Sequence, residues 1–295
     1  AVLDRNGLRP LRWWLNDEQT LTLSSEVGVL PIDEAHIVRK DRLRPGQMLL
    51  VDTKEHRLIS DAQCKARYVN SHPYGEWLDR CLHRLKDLPA PEKKTQVLTQ
   101  KERNALYKVF GYTYEDVREQ ILPMARSGTE PTASMGTDIP LAVLSDRHPL
   151  LFHYFKQQFA QVTNPPIDSL REEIVTDTTV YLGAQGNLLE ETDRNCALLE
   201  VRNPILGGRD MDKIRALKQP PFQVEEISLL FYQGLTLEEA LEMLFVSCDQ
   251  AVTRGANILI LSDRGMDEEH LAIPSLLAVS ALEQHLVREK KRTAV

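Results

Sequence analysis

Long apolar runs are missing from this sequence. No stretch approaches the roughly 18 residues needed to cross a bilayer, and the longest, Leu271 to Leu277, is broken by Pro274. No CxxC pair occurs either: Cys64, Cys81, Cys196 and Cys248 stand far apart. Neither zinc nor an iron–sulfur cluster is therefore signalled, and reduced, partly buried thiols are the simplest expectation. The GxSxG elbow, the HExxH helix, the P-loop and the GxGxxG turn are all absent, which removes the usual local signatures of catalysis and nucleotide binding. Basic charge is not in excess, since 36 Lys and Arg face 43 Asp and Glu for a net charge of −7. No basic stripe is evident, so no nucleic-acid partner is expected. The opening AVLDRNGLRP places Asp4 and Arg5 where a secretory signal would carry its apolar core. A cytoplasmic location with no membrane partner is the expectation.

What is present is an ordinary globular balance, 42% hydrophobic and 27% charged. The length suits one large domain or two smaller ones. The first sixty residues read as an antiparallel sheet region. Leu11 to Leu15 and Thr20 to Ser24 flank the polar tetrad Asn16-Asp17-Glu18-Gln19, and Gln47 to Val51 pairs with Arg57 to Ser60 as a second hairpin. Gly75 to Leu88 then shows helical spacing at Trp77, Leu78, Cys81, Leu82 and Leu85, and Pro89-Ala90-Pro91 stops it. Further helices are expected over Lys101 to Phe110 and from Tyr114, where Val117, Ile121 and Leu122 share a face.

The remainder alternates strand and helix. Leu141 to Leu144 is a short candidate strand, and a helix over 148–160 would bury Leu151, Phe152, Phe155 and Phe159. Ile227 to Phe231 is another apolar run. It leads into the clearest helix of the chain, with Thr236 and Glu239 in a capping-box pattern, apolar positions from Leu237 to Val252, and Gly255 at the C-terminal cap. Asn257 to Leu261 reads as a buried strand, and Pro274 suits the first turn of a last helix ending near Glu289. Strand and helix in this order argue for parallel pairing.

Three clusters invite chemistry and have plainer readings beside it. Gly207-Gly208 precedes a helix expected over 211–217, where a simple turn competes with a phosphate cradle. Asp267-Glu268-Glu269-His270 offers metal-ligand types, although an exposed loop between Leu261 and the last helix explains it better. Arg288 to Arg292 (REKKR) suits a solvated helix end, where cations meet the negative pole of the helix dipole.

Several stretches carry a resemblance. Asp4 to Pro10 (DRNGLRP), Ser24 to Leu30 (SSEVGVL) and Arg44 to Asp52 (RPGQMLLVD) resemble the late part of an N-terminal-nucleophile glutamine amidotransferase domain. Ser134 to Ser145 (SMGTDIPLAVLS) and Phe155 to Glu172 (FKQQFAQVTNPPIDSLRE) resemble the central domain of glutamate synthase. Tyr181 to Glu191 (YLGAQGNLLEE), Ala251 to Gly265 (AVTRGANILILSDRG) and Ala272 to Ala278 (AIPSLLA) continue that resemblance in order.

The resemblance implies an α/β fold. A remnant of an N-terminal-nucleophile amidotransferase β-sheet region would occupy residues 1–65 and a helical connector 66–104. An α/β central domain with mainly parallel strands would follow over 105–295. It further implies an enzyme that hydrolyses glutamine at an N-terminal cysteine and passes ammonia through a tunnel. A flavin domain carrying FMN and a three-iron (3Fe–4S) cluster then condenses ammonia with 2-oxoglutarate and reduces the product to glutamate. The partners implied are the rest of that large subunit, namely the amidotransferase N-terminal part, the FMN domain and a β-helix domain. A small subunit oxidising NADPH, or ferredoxin, would supply electrons.

Ala1 does not match the family's nucleophile, and the family's oxyanion-hole Asn-Gly lies upstream of the matched motifs; Asn6-Gly7 belongs to the later strand motif. The flavin domain and its cysteines lie beyond the matched region. No catalytic residue and no cofactor are therefore expected within these residues, and the isolated chain is expected to be inactive. The best functional candidates are the loop holding Ser134, Met135, Gly136 and Asp138 and the loop holding Thr163 and Asn164, stiffened by Pro165-Pro166. They either face the flavin and 2-oxoglutarate site or serve as turns, with Asp168 capping a helix that starts near Ser169. Asp4, Arg5 and Arg9 read as structural ion-pair formers. A stand-alone scaffold or regulatory protein derived from the same enzyme is the alternative reading.

Overall fold

The computed structural model describes residues 1–4, 7–92, 98–132, 143–146, 149–155 and 167–295. They form two compact units, Ala1–Asp79 and Arg80–Val295.

The first unit is built on β1 (Leu11–Asn16), the centre of a three-stranded antiparallel sheet between β2 (Leu21–Ser24) and β3 (Ile37–Leu43). The polar tetrad closes the β1–β2 hairpin. Asn16 Oδ1 accepts the Thr20 N–H at 2.7 Å, and Gln19 takes a positive φ of 61°. Trp13 leaves the sheet on the side of Leu3, Leu43 and Leu49, forming the small core of this unit. A second hairpin joins β4 (Leu50–Asp52) and β5 (Arg57–Ile59), and Asp52 Oδ1 accepts the amides of Lys54 and Glu55 in its turn. Helix α1 (Asp61–Val69) starts with a reciprocal capping box between Ser60 and Gln63. Helix α2 (Tyr74–Cys81) follows, and the division between the units falls within it.

This helix is shorter than its apolar spacing predicts. It stops at Cys81 because the His83 N–H donates to the Leu198 carbonyl and starts β6 (His83–Arg84). Leu85, expected on the helix face, is buried instead beside Leu199 and Ile214. Tertiary pairing here overrides a local helical period.

Helix α3 (Gln100–Val109) is capped by a Thr99–Glu102 box. A π-helical turn over Asp116–Ile121 runs into α4 (Leu122–Ser127), where Ile121 and Leu122 are exposed. The candidate strand at 141–144 lies partly outside the described residues; its described members, Val143 and Leu144, are exposed in a turn. Of the helix expected over 148–160, residues 151–155 form a 3₁₀ turn, and Phe152 and Phe155 face solvent rather than a core. Residue 148 and residues 156–160, Phe159 among them, lie outside the described residues.

The best-formed part begins with α5 (Ser169–Val175), β7 (Val180–Leu182) and β8 (Leu199–Val201). Then come α6 (Gly208–Arg215), β9 (Val224–Ser228) and β10 (Leu230–Tyr232). The order closes with α7 (Leu237–Thr253), β11 (Ile258–Ser262), β12 (His270–Ala272) and α8 (Ser275–Arg288). The capping box expected at the start of α7 is present, and Gly255 follows its end with φ of 99°.

Parallel pairing occurs between β9 and β11 and between β6 and β8, but β7–β8 and β10–β12 are antiparallel. Among the described residues the sheets of this unit are therefore small, with both kinds of pairing, and the expectation of mainly parallel strands is not confirmed. The parallel β9–β11 pair has α7 between its strands to carry the chain back to the same end. Between β7 and β8 only a short 3₁₀ turn intervenes, and that pair runs antiparallel.

Strand β11 separates two cores. Ile258 and Ile260 point to a cluster with Leu199, Val201, Ile214 and Phe222, while Leu259 and Leu261 pack against Leu244, Cys248 and Leu282 from α7 and α8. This alternation is the two-residue period of a strand covered on both faces.

Candidate functional site

Ser134, Met135, Gly136, Asp138, Thr163 and Asn164 all lie outside the described residues. The flank of the second loop is visible. Asp168 Oδ1 accepts the Arg171 N–H at 2.8 Å at the start of α5, the geometry of an N-terminal cap.

The other sequence-marked clusters take structural roles. Gly207 lies at the start of α6 with φ of −76°, and its carbonyl accepts the amides of Asp210 and Met211. Neither glycine of the doublet has a positive φ. Asp267 Oδ1 accepts the Glu269 and His270 amides at 2.9 and 2.8 Å and meets His270 Nδ1 at 2.8 Å. The His270 bond, followed by the two amides, holds the Asp267 carboxyl below the usual range. The basic run after α8 is not merely solvated. Lys291 Nζ lies 2.9 Å from Asp249 Oδ1, and Arg292 Nε lies 2.6 Å from Glu283 Oε2.

Among the described residues, concave surfaces occur in both units. In the first, a pocket of about 680 Å³ is lined by Trp13, Trp14, Leu30, Pro31, Lys40 and Arg42, among others. The Trp14 indole N–H is buried and has no acceptor among the described residues, and leaving such a donor unmet costs about 1–3 kcal/mol. Sequence reading did not single it out, since a Trp-Trp pair in a strand signals only burial. In the second unit a groove of about 750 Å³ follows β11, lined by Leu206, Met211, Ile258, Ile260, Val279 and Leu286 with a few polar groups. Three of its polar members, Asn257, Glu283 and Arg292, are already engaged. The Asn257 side chain accepts the Gln223 N–H and donates to the Pro221 carbonyl, and Glu283 pairs with Arg292.

An iron–sulfur cluster is held by converging thiolates. Among the described residues no group of three or more His, Cys, Asp or Glu is placed to hold a metal, so the described residues do not fit the three-iron cluster. The loops expected to meet a flavin fall outside the described residues. No helix among the described residues is long and apolar enough to cross a membrane.

Residues 105–295 match the glutamate synthase central domain, and residues 1–77 match the class-II glutamine amidotransferases. The chain is 43% identical over 295 residues to the NADPH glutamate synthase large chain of Bacillus subtilis, covering 100% of this chain and 19% of that one. It is 41% identical over 298 residues to ferredoxin-dependent glutamate synthase 2 of Synechocystis sp., covering 98% and 19%. It is 36% identical over 319 residues to the NADH glutamate synthase of Schizosaccharomyces pombe, covering 100% and 15%. The chain thus spans about a fifth or less of the length of these curated relatives. Since the central-domain match alone covers more than half of the residues, the chain belongs to the glutamate synthase family, with class-II amidotransferase sequence preceding its central-domain sequence.

Proposed function

We propose that this chain is the connecting part of a glutamate synthase polypeptide. In this reading residues 1–65 end the amidotransferase domain, 66–104 form a connector, and 105–295 belong to the central domain. The segment joins the glutamine-hydrolysing site to the flavin site and helps to enclose the ammonia tunnel. The whole enzyme converts glutamine and 2-oxoglutarate, with a reductant, into two molecules of glutamate. The observation that carries this reading is the order of the two matches along one continuous chain, with 43% identity to a glutamate synthase over its full length.

The segment positions and encloses; it does not carry the chemistry. Support comes from its thiols, the natural nucleophile type for glutamine hydrolysis. Burial pushes the Cys248 thiol up to about 12, which disfavours its thiolate, and Cys64 is buried away from solvent. Relatives named for NADPH, ferredoxin and NADH all match with 36% to 43% identity, so the segment serves enzymes with different electron donors.

Asn164→Ala in the complete enzyme tests the loop assignment. Lower synthase turnover with undiminished glutamine hydrolysis is expected, and unchanged coupling would argue for a plain turn. Release of glutamate from glutamine by the purified 295-residue chain would overturn the non-catalytic reading.

A further inference from the structure

The end of α2 and the turn before β8 run side by side within the second unit. The Arg80 guanidinium meets Asp193 Oδ2 at 2.6 Å. Three residues further on, the His83 N–H donates to the Leu198 carbonyl at 2.9 Å, where β6 and β8 begin their parallel pairing with His83 opposite Leu199. These links bracket a short piece of each chain segment and hold the two pieces in the same direction. Cys81 lies inside one bracketed piece and Cys196 inside the other. Both are partly exposed, and neither is in a disulfide. The frame is anchored, because Leu199 is fully buried.

The electrostatics agree with this placement. Burial, then the neighbouring Cys81 and Asp193, push the Cys196 thiol up. The Arg80 guanidinium is raised first by its hydrogen bond to Cys81, then by the proximity of Cys81 and Asp193. Each cysteine therefore belongs to the same local group.

We propose that Cys81 and Cys196 form a dithiol site that closes to an intramolecular disulfide, with a low-molecular-weight disulfide as the oxidant. Taken with Cys81 first, its thiol loses a proton to solvent and its Sγ attacks one sulfur of the oxidant. The small S–S bond breaks and one small thiolate leaves. The Cys196 thiol then loses its proton and attacks the Cys81 sulfur of the mixed disulfide, expelling the second small thiolate. Two electrons pass from the protein to the oxidant, and the two released thiolates take up two protons. Cys64 and Cys248, at 3% and 0% exposure, are internal controls, since buried thiols are poor partners for exchange.

The test uses the full-length polypeptide that carries these residues, equilibrated with mixtures of oxidised and reduced glutathione, then alkylated, digested and weighed. The expected result is a cross-link between the Cys81 and Cys196 peptides with loss of two hydrogen atoms, while Cys64 and Cys248 stay reduced and are alkylated once the protein is denatured. Cys81→Ser and Cys196→Ser should each lose the cross-link and leave a glutathione adduct on the remaining cysteine. In the unmutated reduced protein, phenylarsine oxide, which needs two adjacent thiols, should protect Cys81 and Cys196 together from alkylation. Separate adducts on both cysteines, pairing of either with Cys64 or Cys248, or no protection by the arsenical would overturn the proposal. The arsenical measurement decides the matter even if the variants fail to fold.

Discussion

The Nε2 of His285 on α8 lies 3.1 Å from Oδ2 of Asp249 on α7. The imidazole also stacks flat on Phe245, with centroids 4.4 Å apart and an interplanar angle of 1°. Lys291 reaches the other carboxylate oxygen. One half-buried carboxylate thus ties together two helices and the basic run that follows them.

That arrangement has a sign in pH. Burial opposes the Asp249 charge, but the bonds from Lys291 and His285 outweigh it and hold the carboxyl below its usual range. A depressed folded pKa contributes stability above the unfolded value of about 3.9, and the contribution is lost as pH falls through the folded value. Asp249→Asn should cost about 1 kcal/mol near neutral pH and should flatten the loss of stability below about pH 4. Urea titrations at a series of pH values measure both, and a variant profile that overlays the parent would refute the assignment.

The α7 cap is a second test. The Thr236 N–H donates to Glu239 Oε2 at 2.8 Å, and the Glu239 N–H donates to Thr236 Oγ1 at 3.3 Å. Thr236→Ala should cost about 1 kcal/mol in chemical denaturation, and Thr236→Ser should restore most of it.

Leu199 is fully buried in the cluster with Val201, Ile214 and Phe222. Leu199→Ala removes its side-chain contacts and leaves a void, so a loss of about 2–5 kcal/mol is expected. A loss comparable to that of a surface change would mean that the site collapses around the smaller residue.

Gly255 follows α7 with φ of 99°, and a Cβ there would sit 3.1 Å from Gln223 Oε1. Gly255→Ala should therefore destabilise by about 1–2 kcal/mol through the left-handed backbone, plus whatever displacing Gln223 adds. Thermal denaturation reads the shift, and an unchanged midpoint would show that the turn relaxes.

Local signals were legible where the structure they specify is also local. Thr236, Glu239 and Gly255 bound α7 in the sequence as they do in the fold, and Asn16 to Gln19 make the turn that their polarity implies. The apolar run at β11 is a strand with both faces covered. The end of α2 was not legible, because what stops it is a carbonyl at Leu198. Phe152 and Phe155 carry a helical spacing yet face solvent, since periodicity marks a face without supplying a neighbour. Arg80 and Asp193 stand 113 positions apart, so no window along the chain could place Cys81 near Cys196. The loops at 134–138 and 163–164 drew attention through family resemblance and through their mix of small, polar and proline residues.

The parallel pair β9–β11 sets a time order for assembly. The hydrogen bonds of α7 join residues four positions apart, whereas the Asn257 side chain reaches Gln223 across 34 and Pro221 across 36 positions to seat the start of β11. Helix formation takes about 0.1–1 μs, while pairing distant strands must first meet the entropy of closing the intervening chain. A formed α7 shortens that closure by replacing flexible chain with a rod of about 1.5 Å per residue. The helix between the strands is therefore the device that brings them together, and weakening its cap should slow the docking of β11 onto β9.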